Sequence, residues 1–485
     1  MKGIAILGST GSIGQSALSV VASFRDRLRV VGLAAGRNVE RFIAQVQQFE
    51  PAIVSLADEE VADCLQASGA SRHAVAVHGE DGEVAGAQGE QEFRAAEGES
   101  QERHAGMPVA PRVAFDWATD GGTLQGRARD HFLINGKTPR TGDIFRAPGQ
   151  AEVLRRVAAQ GRDAFYTGEI AEDMIATLQA AGGSHSAEDF AKARAEVTTP
   201  VSGQYKDLEV VEHPPNGQGA TALLLMNILD HFDIAGMDPL GAERLHIEAE
   251  ATKLAYDARN RFLADPDHTA RLEHMLAPET ARALAALIDP KRAMAAAAPI
   301  SEAVHKDTIY ITVVDGDGMS VSLIYSIFHG FGSGIASDKF GILLQNRGAG
   351  FTLEEGHPNE LKGGKRPMHT IIPGMIRENG RVTMPFGVMG GAYQPCGHAR
   401  FASNLTDFGM DVQSAIDAPR AFADGQVMKV ERGFGDDVRQ SLSDLGHRVE
   451  VPETAIGGAQ AIRIREDGVL EGASDPRKDG CALGY

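Results

Sequence analysis

Through residues 68–112 the sequence is nearly empty of large apolar side chains, and its middle reads HGEDGEVAGAQGEQEFRAAEGESQER. Such a tract buries too little surface to offset the entropy of ordering its backbone, so a disordered acidic, glycine-rich linker is expected here. No single core can run through it. The 485-residue chain therefore divides into an amino-terminal segment, residues 1–67, and a long body from residue 113 onward, each burying its own apolar face.

The segment before the tract reads as βαβαβ. Residues 2–7 alternate into a short buried strand, and SIGQSALSVVASF carries apolar residues at helical spacing. RLRVVGLAAG, NVERFIAQVQQF and PAIVSLAD then repeat strand, helix and strand. Between the first strand and helix lies GSTGSIG, whose Gly8, Gly11 and Gly14 stand where bare backbone lets a pyrophosphate approach a helix amino terminus. The second strand ends in AAGRN, with Arg37 where NAD-preferring folds carry an acidic residue, which favours the 2′-phosphate of NADP. A glycine-rich turn with no ligand is the alternative.

ILGSTGSIG, VVGLAAGRN and FEPAIVSLAD resemble the amino terminus of the 1-deoxy-D-xylulose 5-phosphate reductoisomerase family. The resemblance implies NADPH contacts from Thr10, Gly11, Ser12, Ile13, Gly36, Arg37 and Asn38, beside the turn glycines Gly8 and Gly14. That family keeps its substrate-binding serines and metal-binding acidic residues further on, and nothing after Ser68 matches them. The segment is thus a partial Rossmann unit, a cofactor motif without its chemistry.

Composition narrows the partners. A formal charge of −19 argues against a nucleic-acid or anionic-membrane binder, because a polyanion is repelled by most of the surface. The three cysteines, Cys64, Cys396 and Cys481, lie far apart without CxxC or Cys/His spacing, so neither a disulfide framework nor a structural zinc site is expected. The apolar run IAIL is broken at once by GSTGS, and no stretch reaches the ~18 apolar residues of a membrane span. The expectation is a cytoplasmic protein.

In the body, APGQAEVLRRVAAQG and AEDMIATLQAAGG read as helices, PPNGQG as a turn, and ERLHIEAEATKLAYDARNRFLAD as a long helix. Ile247, Ala251, Leu254, Ala258 and Phe262 share one face of that helix; His246, Glu250, Lys253 and Asp257 share the other. A His and a Glu four apart could hold a metal, but alternating opposite charges fit a solvated face better, and no metal site is expected. TIYITVVDGDGMSVSLIYSIF alternates on both sides of DGDG, the signature of a β-hairpin. A further helix surrounds VQSAIDAPRAF.

AFYTGEIAEDM, PPNGQG, KDTIYITVVDGDG, HGFGSGI, GILLQNRGAGF, KRPMHTIIP, GVMGGAYQPCGH, FGMDVQSAIDAPR and SDPRKDGCALGY, in this order, resemble the γ-glutamyltranspeptidase family of N-terminal nucleophile hydrolases over residues 113–485. The resemblance implies an α/β fold, the αββα N-terminal nucleophile hydrolase sandwich, here truncated at its amino-terminal side and preceded by the partial Rossmann unit. It assigns residues 113–307 to the large subunit and 308–485 to the small one. It also implies that the chain cuts its own bond from Asp307 to Thr308 and becomes a two-chain heterodimer.

Alone, Thr308 at the mouth of a strand is ordinary β-branched filler. As the first residue of a new chain it would carry an α-amine, of reference pKa ~8, able to take the proton of its own poorly nucleophilic hydroxyl. Gly390 and Gly391 in GVMGG match the family's oxyanion-hole glycines, whose bare backbone lets N–H groups approach a developing negative charge. Ser326 falls where the family carries a threonine hydroxyl near the nucleophile's amine. The implied reaction is hydrolysis or acyl transfer on a small-molecule amide or peptide, without a cofactor.

Several positions depart from the family's glutathione-cleaving members, in which acidic residues after the LLxN strand hold the substrate's α-amino group. Arg347 and Gly350 stand there. A cation would repel an ammonium and attract a carboxylate, unless Arg347 lies in an outward loop. Phe328 replaces an asparagine, and the family's serine pair after KRP falls on Met368, His369 and Thr370, which leaves His369 and Thr370 as substrate-binding candidates. The expected acyl group lacks the amino group and is glutaryl-like, since the family includes cephalosporin acylases. The family's glycine-rich core segment and carboxylate-binding arginine, upstream of the match, have no counterpart, so uncovered apolar surface is expected. Two rival readings are an NADPH-dependent reductoisomerase fragment and a catalytically silent fusion product.

Overall fold

The computed structural model describes residues 2–6, 18, 28–35, 39–49, 53–56, 100–101, 103–294 and 308–484. The chain forms two compact units, one of Met1–Gln101, Val153–Ala164 and Leu483–Tyr485, the other of Glu102–Glu152 and Phe165–Ala482.

In the first unit, β1 (Lys2–Ile6), β2 (Leu28–Ala35) and β3 (Ile53–Leu56) form a parallel sheet in that order, with α1 (Val39–Phe49) between β2 and β3. The helix expected over SIGQSALSVVASF lies outside the described residues apart from Leu18. Gly8, Thr10, Gly11, Ser12, Ile13, Gly14, Gly36, Arg37 and Asn38 lie outside the described residues, as do residues 57–99.

The second unit starts earlier than composition suggests. Pro111–Asp120 is already a helix opened by proline at its first turn, and Met107–Pro108 pairs with Ile144–Phe145. Trp117 packs on Phe145, Phe132 and Phe331 at ring distances of 4.8, 6.5 and 5.8 Å, which ties this stretch to the small-subunit region. The linker expected through residue 112 therefore overlaps folded structure at its end.

Further elements, in chain order, are β4 (Val201–Tyr205), β5 (Leu208–Glu212), α2 (Gly219–Leu229) and α3 (Ala242–Phe262). Beyond residue 308 come β6 (Ile309–Val314), β7 (Ser320–Tyr325), β8 (Gly374–Glu378), β9 (Arg381–Met389) and α4 (Gln394–Thr406). A small sheet of β10 (Ala421–Asp424), β11 (Val427–Val430) and β12 (Val449–Glu450) follows, then β13 (Gly458–Ile464) and β14 (Leu470–Ser474). The central sheet is antiparallel in the order β14-β13-β9-β8-β5-β4, so strands from before and after residue 308 share one ladder.

One core holds this sheet and its helices together. α2, GATALLLMNIL, is apolar on every side and buried along nearly its whole length, as an interior helix must be. It packs with α3 and α4 on the sheet. The opposite side carries the β6–β7 hairpin, whose Tyr310 and Ile324 cluster with Met389. Tyr310 lies so close to β9 that a Cβ on Gly387 would sit 2.3 Å from its ring. Glycine at that position is what lets the two layers approach.

The expected hairpin is present, and it pairs Ile309 with Tyr325, Ile311 with Leu323 and Val313 with Val321. Those six side chains point away from the sheet and are 40 to 50% exposed. Among the described residues the fold is thus mixed α/β in helix, sheet and hairpin layers, with an uncovered apolar face on the third. No helix of the described residues is long and apolar enough to cross a membrane.

The polar face of α3 is not solvated, contrary to the expectation from its charges. His246 and Glu250 are fully buried and Lys253 nearly so; Asp257, half-buried beside Arg261, alone lies near the rim. Residues distant in sequence cover this face. Lys253 donates to Glu250 at 2.6 Å and to the Met294 carbonyl at 2.9 Å, while the Met294 amide donates to Glu250 at 2.8 Å. His246 meets His447 at 2.7 Å and the Asp289 carbonyl at 2.8 Å. His246, Glu250 and His447 bring ligand atoms within 4.8 Å of one another. The Lys253 ammonium already serves Glu250 as its cation, so the burial is satisfied by hydrogen bonds.

Candidate active site

The hairpin register that pairs Ile309 with Tyr325 carries one step further to Thr308 and Ser326. Thr308 is buried, and its Oγ1 donates to Ser326 Oγ at 3.4 Å. Ser326 Oγ also accepts the Phe328 amide at 3.0 Å. The bond preceding Thr308 lies outside the described residues.

Phe328 has φ +80°, a value that bulky side chains rarely adopt, in the loop directly after the hairpin. Its buried ring lies under the Arg347 guanidinium, 4.8 Å from the ring centroid. Arg347 is 4% exposed, so it does not belong to an outward loop. It donates from Nη1 to Thr370 Oγ1 at 3.1 Å and from Nη2 to the Ser326 carbonyl at 3.4 Å, and its main-chain amide donates to the Gln345 side chain. Among the described residues no carboxylate pairs with it. Burial pushes its pKa down to about 10, which leaves it cationic at neutral pH.

His369 stands beside this cation but is turned into a bracket of the loop. Its Nδ1 lies 2.7 Å from the Pro367 carbonyl and 2.6 Å from the Asn216 side-chain amide, and its own amide donates to the Asn216 carbonyl at 2.7 Å. Burial is the main cause that lowers its pKa to about 4, and the nearby Arg347 charge acts the same way. The ring is therefore neutral at neutral pH, and of these two neighbours Arg347 carries the charge.

Gly390 and Gly391 close β9 with φ of +118° and +59°, conformations that favour glycine. They lead directly into α4, at whose start the first amides have no partner within the helix. Gln218, fully buried at the start of α2, donates from Nε2 to the Gly391 carbonyl at 3.0 Å and to the Thr370 carbonyl at 2.6 Å. Contacts thus run unbroken from Thr308 through Ser326, Arg347, Thr370 and Gln218 to Gly391. Thr308, Ser326, Arg347, Thr370 and Gly391 are thereby brought together.

Gln218, Arg259 and Tyr256 are the members that sequence reasoning does not single out. PPNGQG marks a turn, and nothing in its spelling says that its glutamine reaches two loops more than a hundred residues away. The arrangement supplies a buried hydroxyl beside a second hydroxyl, a cation that no carboxylate among the described residues pairs, and a turn of two glycines with positive φ.

The sequence model for Gamma-glutamyltranspeptidase matches residues 101–485, and that for 1-deoxy-D-xylulose 5-phosphate reductoisomerase matches residues 4–93. The chain is 37% identical over 365 residues to the glutathione hydrolase-like YwrD proenzyme of Bacillus subtilis (strain 168), covering 73% of this chain and 69% of that protein. It is 36% identical over 393 residues to the oxamate amidohydrolase proenzyme of Klebsiella pneumoniae, covering 78% and 73%. The solved cephalosporin acylase from Bacillus halodurans superposes with a TM-score of 0.72 at 35% identity, covering 81% of this chain and 73% of that one.

Proposed function

The chain belongs to the gamma-glutamyltranspeptidase family, and on that premise we propose a self-processing amidohydrolase or acyltransferase whose acyl donor carries a carboxylate in place of the γ-glutamyl ammonium. The single observation that carries the substrate assignment is Arg347, buried beside the nucleophile with no carboxylate partner among the described residues. The family's self-cleaving proenzymes, named as glutathione hydrolase, oxamate amidohydrolase and acylase, support the reaction class.

Scission before Thr308 yields two polypeptides, 1–307 and 308–485, and frees the threonine α-amine. That amine takes the hydroxyl proton as Oγ1 attacks the amide carbonyl. The carbonyl oxygen becomes an anion facing the Gly390 and Gly391 amides, and Ser326 holds the nucleophile through its hydroxyl. The amine leaves with a proton, and water or an acceptor amine then takes the acyl group. Arg347 grips the far carboxylate of the acyl chain, for which a planar guanidinium is suited, and Thr370 orients that guanidinium. A glutaryl-like amide meets these requirements, in a small-molecule reaction that needs no cofactor and is assigned to the cytoplasm.

Purified protein is expected to show two chains by intact mass and to prefer glutaryl over γ-glutamyl anilide. One uncut chain after prolonged incubation rejects the enzymatic reading, and a γ-glutamyl preference rejects the substrate. For the amino-terminal unit, the match over residues 4–93 and three parallel strands support a partial Rossmann unit with NADPH as its candidate ligand. Fluorescence titration with NADPH tests this, and an unchanged signal at saturating concentration removes it.

A further inference from the structure

Gln218 has a side-chain orientation that its neighbours decide. Its Oε1 accepts from Arg259 Nη1 at 2.9 Å. A guanidinium offers only donors, so the amide oxygen must face Arg259 and the NH2 group must face the carbonyls of Gly391 and Thr370. Arg259 is itself buried and lies 4.2 Å over the Tyr256 ring, and the Tyr256 hydroxyl donates to the Ala392 carbonyl. Two successive carbonyls of the turn, 391 and 392, are therefore held from beneath by α2 and α3.

This clamp acts on the softest backbone in the site. Gly390 and Gly391 have no side chains to fix them, yet amides that stabilise a developing anion must be aimed before it forms. Because a peptide plane is rigid, the Gly390 carbonyl, which accepts the Tyr393 amide at 3.1 Å, carries the Gly391 amide with it, and the pinned Gly391 and Ala392 carbonyls hold the remainder of the turn in place. The same NH2 group holds the Thr370 carbonyl, and the Thr370 hydroxyl accepts from Arg347.

We propose that Gln218 is the positioning residue of the oxyanion site, setting the Gly390–Gly391 turn and locking it in register with the Arg347 loop through Thr370. The inference rests on the reading of Gly390 and Gly391 as oxyanion donors. It also assigns Arg259 a role: keeping the Gln218 amide from flipping.

The test uses the self-processed enzyme and the variant Gln218→Met, which keeps the chain length and removes the donors. Glutaryl anilide gives kcat and KM, and a carboxyalkyl boronic acid, which forms a tetrahedral adduct with the nucleophile, gives affinity for the transition-state shape. The expected result is a kcat lower by ~10- to 100-fold with KM within about threefold, and boronate affinity falling in parallel with kcat/KM. A kcat within about twofold of the parent, or a loss confined to KM, overturns the proposal. Should Gln218→Met fail to fold, Arg259→Met carries the same test, since it leaves the donors but frees the amide to turn; full kcat and full boronate affinity there overturn it. Gly390→Ala separates the two levels. If it leaves boronate affinity intact, the oxyanion reading fails and takes this proposal with it; if it weakens boronate while Gln218→Met does not, only the role of Gln218 falls.

Discussion

Arg347 donates to the main-chain carbonyl of Ser326 at 3.4 Å, and Ser326 is the residue whose hydroxyl accepts from Thr308. One buried cation is thereby fixed a single residue away from Thr308. Under the proposed function, its position makes substrate choice a matter of charge at short range, where burial strengthens electrostatic interactions.

Replacing Arg347 should therefore change selectivity more than chemistry. Arg347→Met is expected to lower kcat/KM for glutaryl anilide by ~10- to 100-fold, the worth of a charge-assisted hydrogen bond. Arg347→Asp should reverse the preference toward γ-glutamyl anilide. Parallel assays of both anilides check this, and an unchanged ratio in Arg347→Asp rejects the assignment. Removing an unmatched buried cation should also raise stability by ~1 kcal/mol, read as a higher Tm for Arg347→Met.

Thr308→Ala should remain one chain of 485 residues and show no amidase activity, because it lacks the hydroxyl that both steps use. Ser326→Ala keeps the nucleophile and loses its hydroxyl partner, so turnover should fall by about tenfold. Intact mass and anilide turnover report the two effects separately. Normal processing in Thr308→Ala would remove the nucleophile from the scheme.

Stability should fall in acid in a defined window. Burial holds the pKa of His369 at about 4 and that of His447 at about 3, both below the ordinary histidine value of ~6.5. The unfolded chain binds these protons as pH drops through ~6.5, while the folded chain refuses them down to about 4 and about 3. The stabilising contribution is therefore complete above pH ~6.5 and is lost progressively below it. Lys253 and His246 face His447 and oppose its charging further. Urea midpoints measured from pH 7 to pH 4 should decline, and His447→Phe should flatten the slope; a parent profile that is already flat contradicts the account.

The exposed strip of Ile309, Ile311, Val313, Val321, Leu323 and Tyr325 is a contiguous apolar face on a hairpin that, among the described residues, forms a sheet of two strands. Such faces promote self-association. The double variant Ile311→Lys with Leu323→Glu should give a smaller aggregated fraction by light scattering at equal concentration. A larger one would show that the strip is needed for folding.

Some of this was legible from local patterns. DGDG flanked by alternating apolar residues announces the hairpin, because pairing across a tight turn depends on neighbours in the chain, and the structure adds the register that puts Thr308 beside Ser326. The motifs from KDTIYITVVDGDG to GVMGG are sufficient to name the family.

Helical spacing told which residues of α3 share a side but not what would lie against it. His246, Glu250 and Lys253 looked like a face for water, and the Asp289 and Met294 carbonyls, the Met294 amide and the His447 ring covered it instead. The same holds for Arg347, whose burial follows from Phe328 and Thr370 closing over it, and for Gln218, whose donors meet carbonyls supplied by two other loops. Periodicity fixes orientation within an element; long-range packing decides which polar groups lose their water, and only that loss makes a charge or an amide useful at this site.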